Sequence, residues 1–214
     1  MVNKNLFPPY WSDACNTLKA NDNKMSELID KYQAESLRRR NPAFHTIARA
    51  IVGQQISVAA ADSVWERFEQ LLSTNIDAEK LLRLNDEDLR SVGLSRQKVS
   101  YLKNCARFFI DEFDNYNDLY EFDHSEVEAK LIKIKGVGRW TVDMFMIFHM
   151  HAKDILPISD LGLINAVKKH YNINSKENDV LAKEVVRFSQ NWKPYRTVAT
   201  WYLWRSIDPV PVEY

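Results

Sequence analysis

Leu131-Ile132-Lys133-Ile134-Lys135-Gly136-Val137-Gly138-Arg139-Trp140-Thr141 is the stretch on which the reading of this chain turns. Apolar residues at helical spacing run into Gly136-Val137-Gly138 and resume beyond it, so the stretch reads as helix, tight turn, helix. Such a turn brings the N-terminus of the second helix to the surface, where its first amides have no carbonyl partner within the helix. Two glycines let a phosphate approach the backbone closely, and the helix dipole, with Lys135 and Arg139 beside it, favours an anion there. Taken alone, Gly-x-Gly between helices is equally an ordinary αα-turn. The rest of the chain has to decide.

Outward from the turn the pattern stays helical. Residues 43 to 72 carry apolar residues at helical spacing behind Asn41-Pro42, a start signal. Residues 78 to 110 hold two shorter amphipathic runs split at Ser91-Val92-Gly93-Leu94, and Ser91 to Lys98 is a weaker turn of the same kind as Gly136-Val137-Gly138. Asp123 to Ile134 and Arg139 to His151 are the helices on either side of the main turn. Past Pro157, Ser159 to Tyr171 reads as a capped helix and Asp179 to Ile207 as one or two more. No period-2 alternation lasts long enough to demand a sheet. The expectation is an all-α domain over residues 1–214 in two lobes. One spans about 40–150 and bears the turn; the other joins 1–39 to 151–214, with the N-terminal residues packed on the C-terminal helices.

Composition excludes several classes of function. Of 214 residues 45% are apolar, enough for a real core, and the formal net charge is zero, which argues against a broad positive surface that holds nucleic acid by charge alone. Phosphates can still be held by backbone amides and local basic groups. Two such groups are Arg38-Arg39-Arg40 and Lys130, Lys133, Lys135 with Arg139. The two cysteines, Cys15 and Cys105, form no CxxC pair, so neither a disulfide framework, a Cys-rich zinc site nor an iron–sulfur cluster is supported. His149 and His151 face different sides of the expected helix, and no metal site is expected. Neither a phosphate loop of the G-x-x-x-x-G-K-[ST] type nor a G-x-S-x-G elbow occurs. No signal peptide and no membrane-length apolar stretch is seen, so the expected compartment is cytosolic, or nuclear in a eukaryote.

About twenty residues beyond the turn comes Pro157-Ile158-Ser159-Asp160-Leu161-Gly162-Leu163. Ser159 or Asp160 could simply cap the following helix. Alternatively Asp160 projects towards a substrate, kept ionised by the helix N-terminus. A Gly-x-Gly hairpin followed at this distance by Pro-x-x-Asp resembles the helix-hairpin-helix (HhH-GPD) DNA glycosylase superfamily. Ile51-Val52-Gly53-Gln54-Gln55-Ile56-Ser57-Val58-Ala59-Ala60 is similar to the Gly-Gln-x-x-Ser-x-x-Ala helix of AlkA-type 3-methyladenine DNA glycosylases. Trp192-Lys193-Pro194-Tyr195-Arg196-Thr197-Val198-Ala199 is similar to their C-terminal Trp-x-Pro-aromatic-Arg-small-x-Ala segment. Together these cover residues from about 41 to 207.

The resemblance implies a two-lobed helical glycosylase fold, compact and without the amino-terminal β-domain of longer members, with the active site in the cleft between lobes. It implies that the chain flips alkylated bases such as 3-methyladenine and 7-methylguanine out of double-stranded DNA and excises them, with no cofactor, as a monomer. Asp160 is the implied catalytic carboxylate. Gln54, Trp140, Met144, Leu161 and Trp192 stand at pocket positions; Met144 and Leu161 replace tyrosines of the bacterial enzyme. Gln55, Ser57, Gly136, Val137, Gly138, Arg139 and Thr141 are the implied DNA contacts. Gln55 fills the gap in the duplex at a position where the bacterial enzyme has an apolar residue. Hairpin carbonyls within 134–139 are the implied seat of a monovalent cation. Phe7 to Trp11 or Phe44 is expected to replace the pocket wall of the absent β-domain, while Trp201 and Trp204 read as core packing. Trp140 occupies the position at which strand-nicking members carry a Schiff-base lysine, which implies excision without lyase activity. Two alternatives stay open: a glycosylase of the same fold for oxidised or deaminated bases, with Gln54 and Asp143 as hydrogen-bonding pocket residues, or a non-catalytic binder of damaged DNA.

Overall fold

Residues 43–53 are apolar on almost every side, the mark of a helix surrounded by others rather than lying on a surface. In the computed structural model, which describes residues 7–33, 36–39, 41–73, 75–113, 119, 122–175 and 177–208, every regular element among them is a helix. Arg40, expected within a basic grouping, lies outside the described residues, as do residues 1–6. No helix among the described residues is long and apolar enough to cross a membrane. The chain divides into two compact units. The described residues of one fall within 7–39 and 151–208, those of the other within 41–150.

The second unit is built around α3 (Ala43–Gly53), in which every residue from Ala43 to Val52 is buried. Around it stand α4 (Val58–Leu71), α5 (Ala78–Arg83), α6 (Asp86–Ser91), α7 (Arg96–Glu112), α8 (His124–Leu131) and α9 (Arg139–Phe148). α3 packs on α4, α7 and α9. Its one buried cation, Arg49, is paired with Asp62 and lies over the Trp65 ring, so the charge is not left uncompensated.

The run expected over 43–72 is two helices, not one. Gln55 adopts a left-handed backbone (φ 56°), and Ser57 accepts a hydrogen bond from the Ala60 amide (3.3 Å), capping a new helix. The 78–110 region likewise breaks twice. Asn85 caps α6 by accepting from the Asp88 amide, and Ser95 caps α7 by accepting from that of Lys98. Helix α9 stops at Phe148, so His149 and His151 lie beyond its end rather than on opposite faces of it.

The first unit comprises α1 (Trp11–Asn21), α2 (Asn23–Lys31), α10 (Leu161–His170), α11 (Asn178–Phe188), a 3-10 turn over Ser189–Trp192 and α12 (Arg196–Arg205). Helices α1 and α2 pack on α12, and α10 packs between α11 and α12. The centre of this arrangement is one buried carboxylate. Asp22 caps α2 through Oδ1, which accepts from the Lys24 and Met25 amides, while Oδ2 accepts from Tyr171 Oη (2.7 Å) and Trp192 Nε1 (2.9 Å). Four donors compensate its desolvation.

Candidate functional site

The Gly136 turn is held from three directions within the second unit. Val137 N–H donates to Ile134 O (2.9 Å), closing the turn, and Gly138 caps α9, whose first helical bond is Val142 N–H to Gly138 O (3.1 Å). The amides ahead of Val142 therefore have no carbonyl within the helix. The Tyr101 ring of α7 lies against Gly136: a Cβ there would sit 2.0 Å from Tyr101 Cγ, and the residue has φ +100°. Both facts require glycine. Gln54 supplies the third hold, its Nε2 donating to Gly136 O (3.0 Å) and to Thr141 Oγ1 (2.9 Å). The segment carrying Gln54 and Gln55 is in turn fastened by Lys98 Nζ, which donates to Val52 O (2.7 Å); burial lowers the Lys98 pKa.

Several expected contacts take on other duties. The Gln54 side-chain nitrogen is engaged on the hairpin. The Thr141 side chain is buried and accepts from Gln54, while its amide is among those ahead of Val142; Val137 is buried with its amide already bonded to Ile134. Arg139 is ion-paired to Glu128, and its Nε lies 2.8 Å from Asp143 Oδ1, so two carboxylates offset its charge. Of the carbonyls expected to seat a cation, Ile134 O takes the Val137 amide and Gly136 O takes Gln54. Gly138, Lys133, Lys135, Gln55 and Ser57 are exposed, and Trp140 is half-buried.

Asp143 is 2% exposed, and burial raises its carboxyl pKa to about 6, a rise that the Arg139 charge only partly opposes. The unfolded value is lower. Between about pH 4 and pH 6 the native state therefore keeps a proton that the unfolded chain has lost. The stability contributed by protonated Asp143 is fully present below about pH 4 and is lost as the pH rises through 6. Urea unfolding of wild type and Asp143→Asn should diverge by about 2–3 kcal/mol between pH 4 and 7, with the variant gaining as pH rises. Parallel stability curves would contradict this.

In the first unit Asp160 caps α10. Its Oδ1 accepts from the Leu163 amide (2.7 Å) and from Trp204 Nε1 (2.8 Å). The loop leading to it is clamped by the start of α12. Arg196 forms a two-pronged pair with Asp154, Nε to Oδ1 at 2.7 Å and Nη2 to Oδ2 at 2.8 Å. Thr197 Oγ1 donates to Ala152 O (2.5 Å) and accepts from the Ile155 amide (3.0 Å). Beside the carboxylate, Leu161 is 68% exposed and Ile158 is exposed as well, an apolar rim to a charged group.

Two expected pocket residues are buried. Trp192 is 0% exposed, with its indole N–H on Asp22. Met144 is 2% exposed in the buried run of α9. Trp204 departs in the opposite direction: expected in the core, it is half-buried with its indole N–H on Asp160. Tyr101, Asp22 and Asp154 carried no local signal, because each acts on a residue distant in sequence; Lys98 and Arg196 stood within recognised stretches, but their partners did not.

The family model of the HhH-GPD superfamily base excision DNA repair protein matches residues 48–193. The alkylbase DNA glycosidase-like protein mag2 of Schizosaccharomyces pombe is 31% identical over 194 residues, which cover 88% of this chain and 90% of that protein. The chain spans 66% of the length of the Bacillus subtilis protein YfjP, at 28% identity. Among solved structures, the 3-methyladenine DNA glycosylase Mag1 of S. pombe in complex with abasic DNA gives a TM-score of 0.77 at 25% identity, covering 91% of this chain and 96% of that one. The DNA-3-methyladenine glycosidase of Bacillus halodurans gives 0.71 at 30% identity, covering 90% and 88%.

Proposed function

The chain belongs to the HhH-GPD superfamily of base excision DNA repair proteins, and from that premise we propose that it is a DNA glycosylase that excises alkylated bases from duplex DNA and leaves the strand intact. The observation that carries the reading is Asp160, a partly exposed carboxylate held by two donors at the N-terminus of α10. The names of the relatives, which specify alkylbase or 3-methyladenine excision, support the substrate class.

Breaking the bond between C1′ and the base returns the bonding pair to the base and develops positive charge on the sugar. The Asp160 carboxylate stabilises that charge, orients the water that adds to C1′ and takes the proton this water releases. An alkylated purine is already cationic and leaves as a neutral base, so no general acid is required. The base first has to leave the stack. Gln55, exposed and held in a left-handed turn, suits a residue that enters the gap, with exposed Ile56 beside it. The N-terminus of α9 at Gly138 receives backbone phosphate through its amides, which needs no net positive charge. Exposed Lys133 and Lys135 supplement it.

Trp140 stands where strand-nicking members carry lysine, and this favours hydrolysis over a Schiff base. Borohydride should therefore trap no covalent complex between wild-type protein and lesion DNA, and the product strand should break only on treatment with alkali. A trapped complex would contradict monofunctional excision. A panel of duplexes, each with one alkylated, oxidised or deaminated base, tests the substrate class: excision of alkylated bases alone supports the reading, and preference for another group overturns it.

A further inference from the structure

We propose that Trp204 is the positioning residue of the Asp160 carboxylate, and that Gly162 is glycine in order to admit it. This rests on the reading of Asp160 as the group that acts on the sugar. Trp204 lies in the last turn of α12, and its Nε1 donates to Asp160 Oδ1 over 2.8 Å. The Leu163 amide reaches the same oxygen over 2.7 Å. A cap amide alone leaves a carboxyl group able to rock about its Cβ–Cγ bond. A second donor from a different helix, converging on the same oxygen, fixes its plane.

Gly162 makes the approach feasible. A Cβ at 162 would lie 3.0 Å from Asp160 Oδ1 and 3.3 Å from both Cδ1 and Nε1 of Trp204. The residue is in the first turn of a regular helix and has no positive φ, so its backbone does not call for glycine. Close approach does. Trp204 also differs from Trp192 and Trp201, which are buried, in being only half-buried. The end of α12 is well placed to hold it, since Arg196 and Thr197 pin the start of that helix to the loop preceding Asp160.

A carboxylate that stabilises developing charge must be correctly aimed before the bond breaks, and a small misplacement costs rate without costing affinity. Trp204→Phe keeps most of the ring and removes the donor. Gly162→Ala keeps the donor and presses on the contact, whose atoms would have to give by a few tenths of an ångström. With enzyme in excess over a duplex bearing one alkylated base, each should slow excision roughly tenfold to a hundredfold. The Kd for a duplex carrying a tetrahydrofuran abasic analogue should stay within about twofold of wild type, because binding at saturation does not read the aim of a carboxylate. If Trp204→Phe fails to fold, Gly162→Ala reads the same contact from its other side. Wild-type rates in the folded variants, with Asp160→Asn inactive, would overturn the Trp204 proposal alone. A parallel loss of rate and of abasic-DNA affinity would mark a structural role and also overturn it. Full activity in Asp160→Asn would overturn the reading of Asp160 and this proposal with it.

Discussion

Asp160→Asn is expected to lower the single-turnover rate of base excision by about 10²–10³-fold or more, while the protein remains folded and bound to DNA. The substitution is nearly isosteric, and asparagine is as good a helix N-cap as aspartate. Its side-chain oxygen can still accept from the Leu163 amide and the Trp204 indole, so the contacts that hold α10 survive. What disappears is the negative charge. Loss of one well-aimed electrostatic contact to a transition state typically costs about 3–4 kcal/mol, which sets the expected factor. The two roles open to this residue in the sequence, helix cap and catalytic carboxylate, separate cleanly here. The cap is nearly indifferent to the change and the chemistry is not. A variant with unaltered rate would leave Asp160 as a cap only.

Gly136→Ala is expected to be the most damaging single substitution for stability and DNA affinity together. At φ +100° an L-residue is strained by about 1–3 kcal/mol, and the added carbon would sit 2.0 Å from the Tyr101 ring. That ring cannot swing away without disturbing its bond to Gln97 on α7. A loss of about 3 kcal/mol or more follows, or roughly 6–12 °C in Tm for a chain of this size. The turn that exposes the α9 amides moves with it, so affinity for an abasic-analogue duplex should fall by at least about tenfold. Adding Tyr101→Ala should restore part of the stability, since it removes the clash but not the strain. Full stability in Gly136→Ala alone would contradict the account of this turn.

Helical class, the hairpin and the α10 cap were legible because each leaves a local signature: a 3.6-residue period, scarce glycines at a turn, a capping residue before an apolar run. The break at Gln54 to Ser57 was not. The apolar spacing continues across it, and only the left-handed Gln55 and the Ser57 cap reveal two helices. The roles of the tryptophans were illegible for a different reason. Whether an indole is a pocket wall, a core filler or a hydrogen-bond donor depends on its partner. For Trp192 that partner is Asp22, 170 residues away, and for Trp204 it is Asp160, 44 residues away. Gln54 likewise matches its family position, yet it braces Gly136 and Thr141 across more than 80 residues of sequence. Motif matching locates such residues. Only the fold says what they touch.

The most direct test of the central claim is to incubate methylated duplex DNA with the wild-type protein and chromatograph the small molecules released. Free 3-methyladenine or 7-methylguanine, with the DNA strands uncut until alkali is added, is the predicted result. DNA binding without release of either base would contradict it.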